Sequence, residues 1–150
     1  MLVAGVSRLL EPLTLRGTTF RNRVWLAPMC TYSATDGLPD DWHLVHLGAR
    51  ASGGFGLVLT EATAVVPEGR ITPQDTGLWN EAQAEAWARV VRFVHACGAA
   101  AGVQLAHAGR KASTFRPWSE RQGSVPAEDG GWTTVAPSGL AFPATPLRRR

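Results

Sequence analysis

Residues 57–63, LVLTEAT, and residues 101–106, AGVQLA, are two short apolar runs of the kind a buried parallel strand shows. Between them lies the clearest helix in the chain. Asn80 is its N-cap, Gln83 occupies the capping-box position, and Glu81 and Glu85 stand near the positive end of the helix dipole. Trp87, Val90, Val91 and Val94 form one apolar stripe, and Gly98 stops the helix. Upstream, Val24–Met29 (VWLAPM) is a third apolar run, followed by a loop at Asp36–Asp41 that holds Gly37 and Pro39. Asp40 or Asp41 then caps a helix running to about Ser52, with Leu44, Leu47 and Ala51 on one face and Gly53 and Gly54 at its end. The order strand–helix–strand–helix–strand predicts parallel strands in an α/β sheet.

Further out, residues 9–23 read as two short strands around a turn at Gly17, with Pro12 keeping them at an edge. The stretch between the second strand and the second helix, with Pro67, Gly69, Pro73 and Gly77, reads as a polar loop. After Gly109 periodicity stops, and a segment that long is a functional lid or disordered. The expected division is a regular α/β unit over 9–109, a long loop or lid over 110–147, and a basic tail at 148–150.

Composition narrows the function. A chain of 150 residues supports one domain, and 45% apolar with 18% charged residues is globular. The net charge of +3 comes from Arg148, Arg149 and Arg150, the remaining cations balancing the acids, so nothing marks a nucleic-acid footprint. Cys30 and Cys97 lack Cys-x-x-Cys spacing and suit a reducing cytosol. Met1–Val6 is apolar but interrupted by Arg8, and no apolar run reaches membrane-span length, so a cytoplasmic protein without signal peptide is expected. His43, His46 and His95 fall on helices as surface or packing residues, and no pair has metal-ligand spacing, so no metal is expected.

The ligand class follows from where the polar residues fall. The cluster Gly53, Gly54, Gly56 closes a helix and leads into a strand, the reverse of a dinucleotide-binding turn, and no phosphate-binding Gly-Lys-Ser/Thr loop exists. A flavodoxin-like sheet or the start of a (β/α)8 barrel remains. In a barrel, functional groups collect where strands end. The three runs end in Pro28-Met29-Cys30-Thr31-Tyr32, in Glu61-Ala62-Thr63 and in Gln104 to Lys111. A thiol, a phenol, a carboxylate, an amide and an imidazole therefore gather on one rim.

With these residues in place, the chain resembles the N-terminal part of an Old Yellow Enzyme family flavoprotein, on the xenobiotic reductase A-like branch of NADPH dehydrogenases. The matching stretches are FRNRV (Phe20–Val24), APMCTY (Ala27–Tyr32), DWHLV (Asp41–Val45), EATA (Glu61–Ala64), PEGRIT (Pro67–Thr72), QLAHAGRKAS (Gln104–Ser113) and WTTVAPSGLAF (Trp132–Phe142). The resemblance implies a TIM barrel, of which about three of eight strands are here, with FMN at its mouth. It implies hydride transfer from NADPH or NADH to flavin N5, and from there to the β-carbon of an α,β-unsaturated carbonyl. It places Ala27, Pro28, Met29 and Cys30 along the flavin, largely through backbone groups, with the Cys30 thiol near N5 and O4. Ala62 is implied as a backbone contact to the ring, Gln104 as an amide partner of the pyrimidine edge, and Tyr32 as a substrate contact.

Each residue also has a plainer reading. Cys30 can be a small buried hydrophobe, and Tyr32 a rim aromatic with a wet hydroxyl. Gln104, in a strand taken as buried, needs a partner, either flavin or a neighbouring backbone group. Glu61 pairs either at the ligand or with an internal arginine. His107 either contacts the ligand or, in the plainer reading, orders its loop, and Arg110 and Lys111 either steer a phosphate or brace the loop. The family's carbonyl-polarising pair, proton-donating tyrosine, flavin-backing arginine and phosphate loops match no position here, so no catalytic residue is assigned. Strands one and three are expected to expose unpaired edges. A truncated product, an inactive fragment, or a half-barrel needing a second copy or a complementing chain is the expectation that follows.

Overall fold

The computed structural model describes residues 7–142. The expectations for Met1–Val6 and for the basic end at Arg148–Arg150 lie outside the described residues.

A hairpin comes first: β1 (Leu13–Leu15) pairs antiparallel with β2 (Thr18–Phe20) around Gly17. Then follow β3 (Trp25–Leu26), α1 (Asp41–Ser52), β4 (Leu57–Ala64), β5 (Thr76–Gly77), α2 (Glu81–Ala96) and β6 (Ala100–Ala106). Strand β4 is central. It runs parallel to β3 through Trp25↔Leu57 and Leu26↔Val58, and parallel to β6 from Leu57↔Ala100 to Ala64↔Ala106. The alternating βαβαβ order read from the sequence is thus the observed topology.

Both helices pack on this sheet. Leu26, Val58, Ala99, Leu47, Ala51, Trp87, Val90 and Val94 form one buried cluster, joined by half-buried Leu44. Each such aliphatic chain taken out of water contributes about 1.5–3 kcal/mol. Asp40 caps α1, accepting from Trp42 N. Asn80 caps α2 by accepting from Gln83 N, while Gln83 Oε1 accepts from Trp79 N rather than closing the box on Asn80. Gly98, at φ +75°, ends α2 in the left-handed conformation that glycine adopts without strain.

Arg21 locks the underside of the layer. Its guanidinium donates to Phe55 O (3.1 and 2.8 Å), Ala51 O (2.6 Å) and Cys97 O (2.6 Å). One side chain thereby satisfies carbonyls at the C-terminal ends of both helices, which no intrahelical donor can reach.

Three expectations are corrected. The run Val24–Met29 makes ladder contacts only at Trp25–Leu26, because Pro28 has no N–H to offer and the chain leaves the sheet there. The stretch read as a polar loop contains β5, which pairs with β4 through Thr63↔Thr76 and Ala64↔Gly77 and takes over the edge that β3 vacates. Strand β6 is not buried: Val103 is 42% and Leu105 60% exposed, since no strand lies beyond it among the described residues.

The segment after Gly109 has no strand or α-helix among the described residues, only short 3-10 turns at Gly109–Lys111 and Ala127–Asp129. It is nonetheless anchored. Ala112, Ser113 and Val125 are buried, Val125 N donates to Ser113 O, and Trp132 Nε1 donates to Glu68 O. The Arg70 guanidinium stacks between the rings of Trp79 and Trp132, at 5.5 and 5.0 Å from their centroids.

Candidate active site

The ends of β3, β4 and β6 meet on one rim, and the ladder partners Ala62 and Gln104 bring the second and third strand ends side by side. One irregularity shapes that rim. Between Leu59↔Gly102 and Ala62↔Gln104, β4 carries one residue more than β6, a β-bulge at Thr60–Glu61. Bulges re-aim side chains beside functional sites. The Glu61 carbonyl accepts instead from the hydroxyls of Thr60 (3.0 Å) and Thr63 (2.9 Å).

The re-aimed Glu61 carboxylate is 5% exposed and grips the segment after β3 with both oxygens. Thr31 N donates to Oε2 and Thr31 Oγ1 donates to Oε1, each at 2.8 Å. Behind it stands His43 of α1, whose Nε2 lies 3.3 Å from Glu61 Oε1, in ion-pair range but without the alignment of a hydrogen bond. The other ring nitrogen is 2.8 Å from Asp40 Oδ1. Burial by itself would lower the His43 pKa, yet Glu61 and Asp40 hold it above its ordinary value. Burial would raise that of Glu61, yet His43 and the two Thr31 donors hold it below the usual carboxylate range. Both directions favour the charged forms of the two groups, while the Asp40 backbone N–H points at His43 Nδ1 at 3.0 Å.

Of the alternatives left open for Glu61, the internal arginine is not its partner: the protein groups it meets are His43 and Thr31. Nothing in the one-dimensional pattern marked His43, which on its own is one more helical histidine. Its spacing of three from Asp40, together with an acid at a strand end, was the available signal.

Thr31 sits between the two residues of chemical interest. Cys30 is half-buried, and burial pushes its thiol up against the opposing effect of the Ala62 backbone and the Tyr32 phenol, so the sulfur is a neutral thiol rather than a thiolate. Tyr32 is pushed up to about 12, by burial first and then by Cys30 and Asp75. Its φ of +48° is left-handed, a conformation that costs a non-glycine residue about 1–3 kcal/mol and is held by its surroundings. Those surroundings are the Glu61 grip on Thr31, the bond from Ser33 Oγ to Thr31 O (2.9 Å), and the Trp118 ring set edge-on at 5.5 Å.

The remaining predicted residues line the same rim. Ala27 and Met29 are exposed, the latter at 53%, and Pro28 is half-buried between them. Ala62 is buried beside Cys30. Gln104 is exposed, so the argument that burial forces a partner on its amide does not hold; the amide is available on an open strand. His107 Nδ1 accepts from Gly109 N (3.0 Å) and orders its own loop. Arg110 donates to Ser138 Oγ (2.9 Å), and the Lys111 ammonium sits 4.5 Å from the Phe142 ring centroid, so both brace the loop. Among the described residues no group of three or more His, Cys, Asp or Glu could hold a metal ion.

This donor set is neutral at its front: thiol, phenol, amide, and the main chain of 27–30. It fits the polar edge of a planar heteroaromatic ring better than a phosphate or a metal. The model of the NADH:flavin oxidoreductase / NADH oxidase family matches residues 8–134. The chain belongs to that family.

Within the NADH:flavin oxidoreductase family, an NADH:flavin oxidoreductase of Gibberella zeae is 49% identical over 140 residues, covering 92% of this chain and 34% of that relative. The Old Yellow Enzyme of Trypanosoma cruzi superposes with a TM-score of 0.73 at 30% identity, over 92% of this chain and 36% of that one. Morphinone reductase superposes at 0.72 with 33% identity, over 89% of this chain and 32% of its own. The chain thus spans about a third of the length of the relatives it matches. The fold is the N-terminal part of their (β/α)8 barrel. Among the described residues no helix is long and apolar enough to cross a membrane.

Proposed function

We propose that this chain forms the flavin-facing N-terminal portion of an ene-reductase-type NAD(P)H oxidoreductase that binds FMN and reduces the C=C bond of α,β-unsaturated carbonyls. The observation that supports it most is the neutral corner at the ends of three adjacent parallel strands, Cys30 and Tyr32 on one side and Gln104 on the other. FMN, when bound, supplies a hydride acceptor and donor, reduced by NADPH or NADH. The chain's own residues hold and tune. Main-chain groups of Ala27, Pro28, Met29 and Cys30 would hold the ring, with Ala62 as a further backbone contact. The Gln104 amide offers both a donor and an acceptor, as a pyrimidine edge requires. Kept protonated by burial, the Cys30 thiol is a neutral donor beside the ring, unable to compete as a nucleophile for an enone. Tyr32 keeps its phenolic proton throughout the neutral range and would contact the substrate from this rim. Two unbridged cysteines, Cys30 and Cys97, suit a cytoplasmic location.

A second reading is favoured by the exposed Val103 and Leu105 on β6. Parallel strands are normally covered on both faces, so this half-site works when a second copy or a complementing chain covers it. NADPH oxidation in the presence of FMN and 2-cyclohexenone separates the two. A rate above that of free FMN from this chain alone supports the first. A background rate that rises only when a complementing barrel portion is added supports the second, and a background rate in both cases removes the ene-reductase reading.

A further inference from the structure

The buried pair Glu61 and His43 needs a reason. Replacing a buried ion pair by apolar residues is often neutral or stabilising, so such a pair is weak evidence for stability. Here several costly features converge on one residue. The bulge in β4 turns Glu61 out of the ladder, two threonine hydroxyls satisfy the carbonyl this frees, and both carboxylate oxygens are spent on Thr31. His43 is 1% exposed, edge-on to the Trp87 ring of α2 at a centroid distance of 6.0 Å. With Nδ1 against Asp40 and Nε2 against Glu61, its ring is fixed at both ends. The other titratable groups around the pair are His46 on α1, Asp75 before β5, and Cys30 and Tyr32 after β3, whose pKa values burial first and the Glu61 charge further raise. Thr31 links Cys30 to the left-handed Tyr32, so the pair grips the one backbone position that sets both side chains.

We propose that Glu61 and His43 are positioning residues: held by the His43 ring, the Glu61 carboxylate fixes the Thr31 backbone and hydroxyl and thereby sets where the Cys30 thiol and Tyr32 phenol stand. Their relevance to a flavin rests on the reading of that corner above; the geometry itself does not. The consequence is local. Loosening the grip frees Cys30 while leaving Cys97, at the far end of α2, as it was.

The test is the alkylation rate of each cysteine in the full chain by iodoacetamide, read by peptide mass spectrometry. Glu61→Gln keeps the shape but removes one acceptor and the charge. Thr31→Val removes the hydroxyl and changes no charge, and Thr31→Ser restores the hydroxyl. The expected result is a roughly tenfold faster Cys30 reaction in Glu61→Gln and His43→Gln, at least threefold in Thr31→Val, and the wild-type rate in Thr31→Ser, with Cys97 constant within twofold. Unchanged Cys30 rates in Glu61→Gln and Thr31→Val overturn the proposal. So does equal acceleration of Cys97, which makes the pair a general brace, and so does a wild-type chain whose two thiols already react at the denatured rate. FMN titration of the same proteins keeps the two claims apart: selective Cys30 release without FMN binding by the wild type leaves the positioning role standing and removes the flavin reading.

Discussion

Arg21→Lys tests the idea that one guanidinium ties the underside of the sheet to both helices. Arg21 makes four hydrogen bonds to three carbonyls, Ala51 and Cys97 at the helix ends and Phe55 between α1 and β4. A hydrogen bond to a charged group contributes about 1.5–3 kcal/mol, and the gross sum overstates the loss because water reaches a half-buried site. A lysine places three donors on one point and cannot span carbonyls fanned around a planar fork. It keeps one partner and releases the others to water, so the expected loss is about 2–3 kcal/mol, and Arg21→Ala loses about 3–4 kcal/mol. Urea unfolding followed by far-ultraviolet circular dichroism measures it, as a lower midpoint with unchanged slope. A lysine variant within about 0.5 kcal/mol of wild type would refute the multi-carbonyl lock, since that is the ordinary scatter of surface substitutions.

The charged pair gives a pH dependence whose sign is fixed. His43 is raised above its ordinary 6.5, so its stabilisation is complete below that pH and is lost as pH rises through the raised value. Glu61 is lowered from its ordinary 4.5, so its share is complete above that pH and is lost as pH falls through the lowered value. The pair therefore contributes fully between pH 4.5 and 6.5, and the double variant His43→Gln/Glu61→Gln should flatten the difference between that window and the flanks in urea titrations. A double variant with the wild-type pH profile contradicts it. Arg70→Ala removes the cation between Trp79 and Trp132, two stacking contacts of about 0.5–2 kcal/mol each. Trypsin should then cut at Arg110–Arg121 roughly tenfold faster; cleavage at the wild-type rate means the long segment is anchored elsewhere.

What the sequence disclosed and what it withheld divide along a physical line. The βαβαβ order was legible because caps and stripes are local: Asp40 and Asn80 start their helices and Gly98 stops α2 where expected, and Trp87, Val90 and Val94 face the sheet. Pairing partners were not legible. Whether AGVQLA is buried depends on what lies beyond it, and hydropathy alone cannot separate an edge strand from a central one, so the pattern predicts a buried Gln104 where the structure exposes it. The bulge at Thr60–Glu61 is a mismatch between two strands, invisible in either. His43 illustrates the same limit: its role comes from an acid 18 residues away, brought close by the crossover from α1 to β4. The positions of Cys30, Tyr32 and Ala62 at one rim followed from the rule that barrel chemistry gathers at strand ends.

The central claim is that the rim from Ala27 to Cys30, with Gln104 opposite, receives a flavin. Titrating the full chain with FMN while following flavin fluorescence and the visible band tests it most directly. The account predicts saturable binding that Gln104→Ala weakens by about tenfold, the loss of one or two neutral hydrogen bonds to the ring. Binding that Gln104→Ala leaves untouched, or no binding by a chain shown to be folded by circular dichroism, would contradict it.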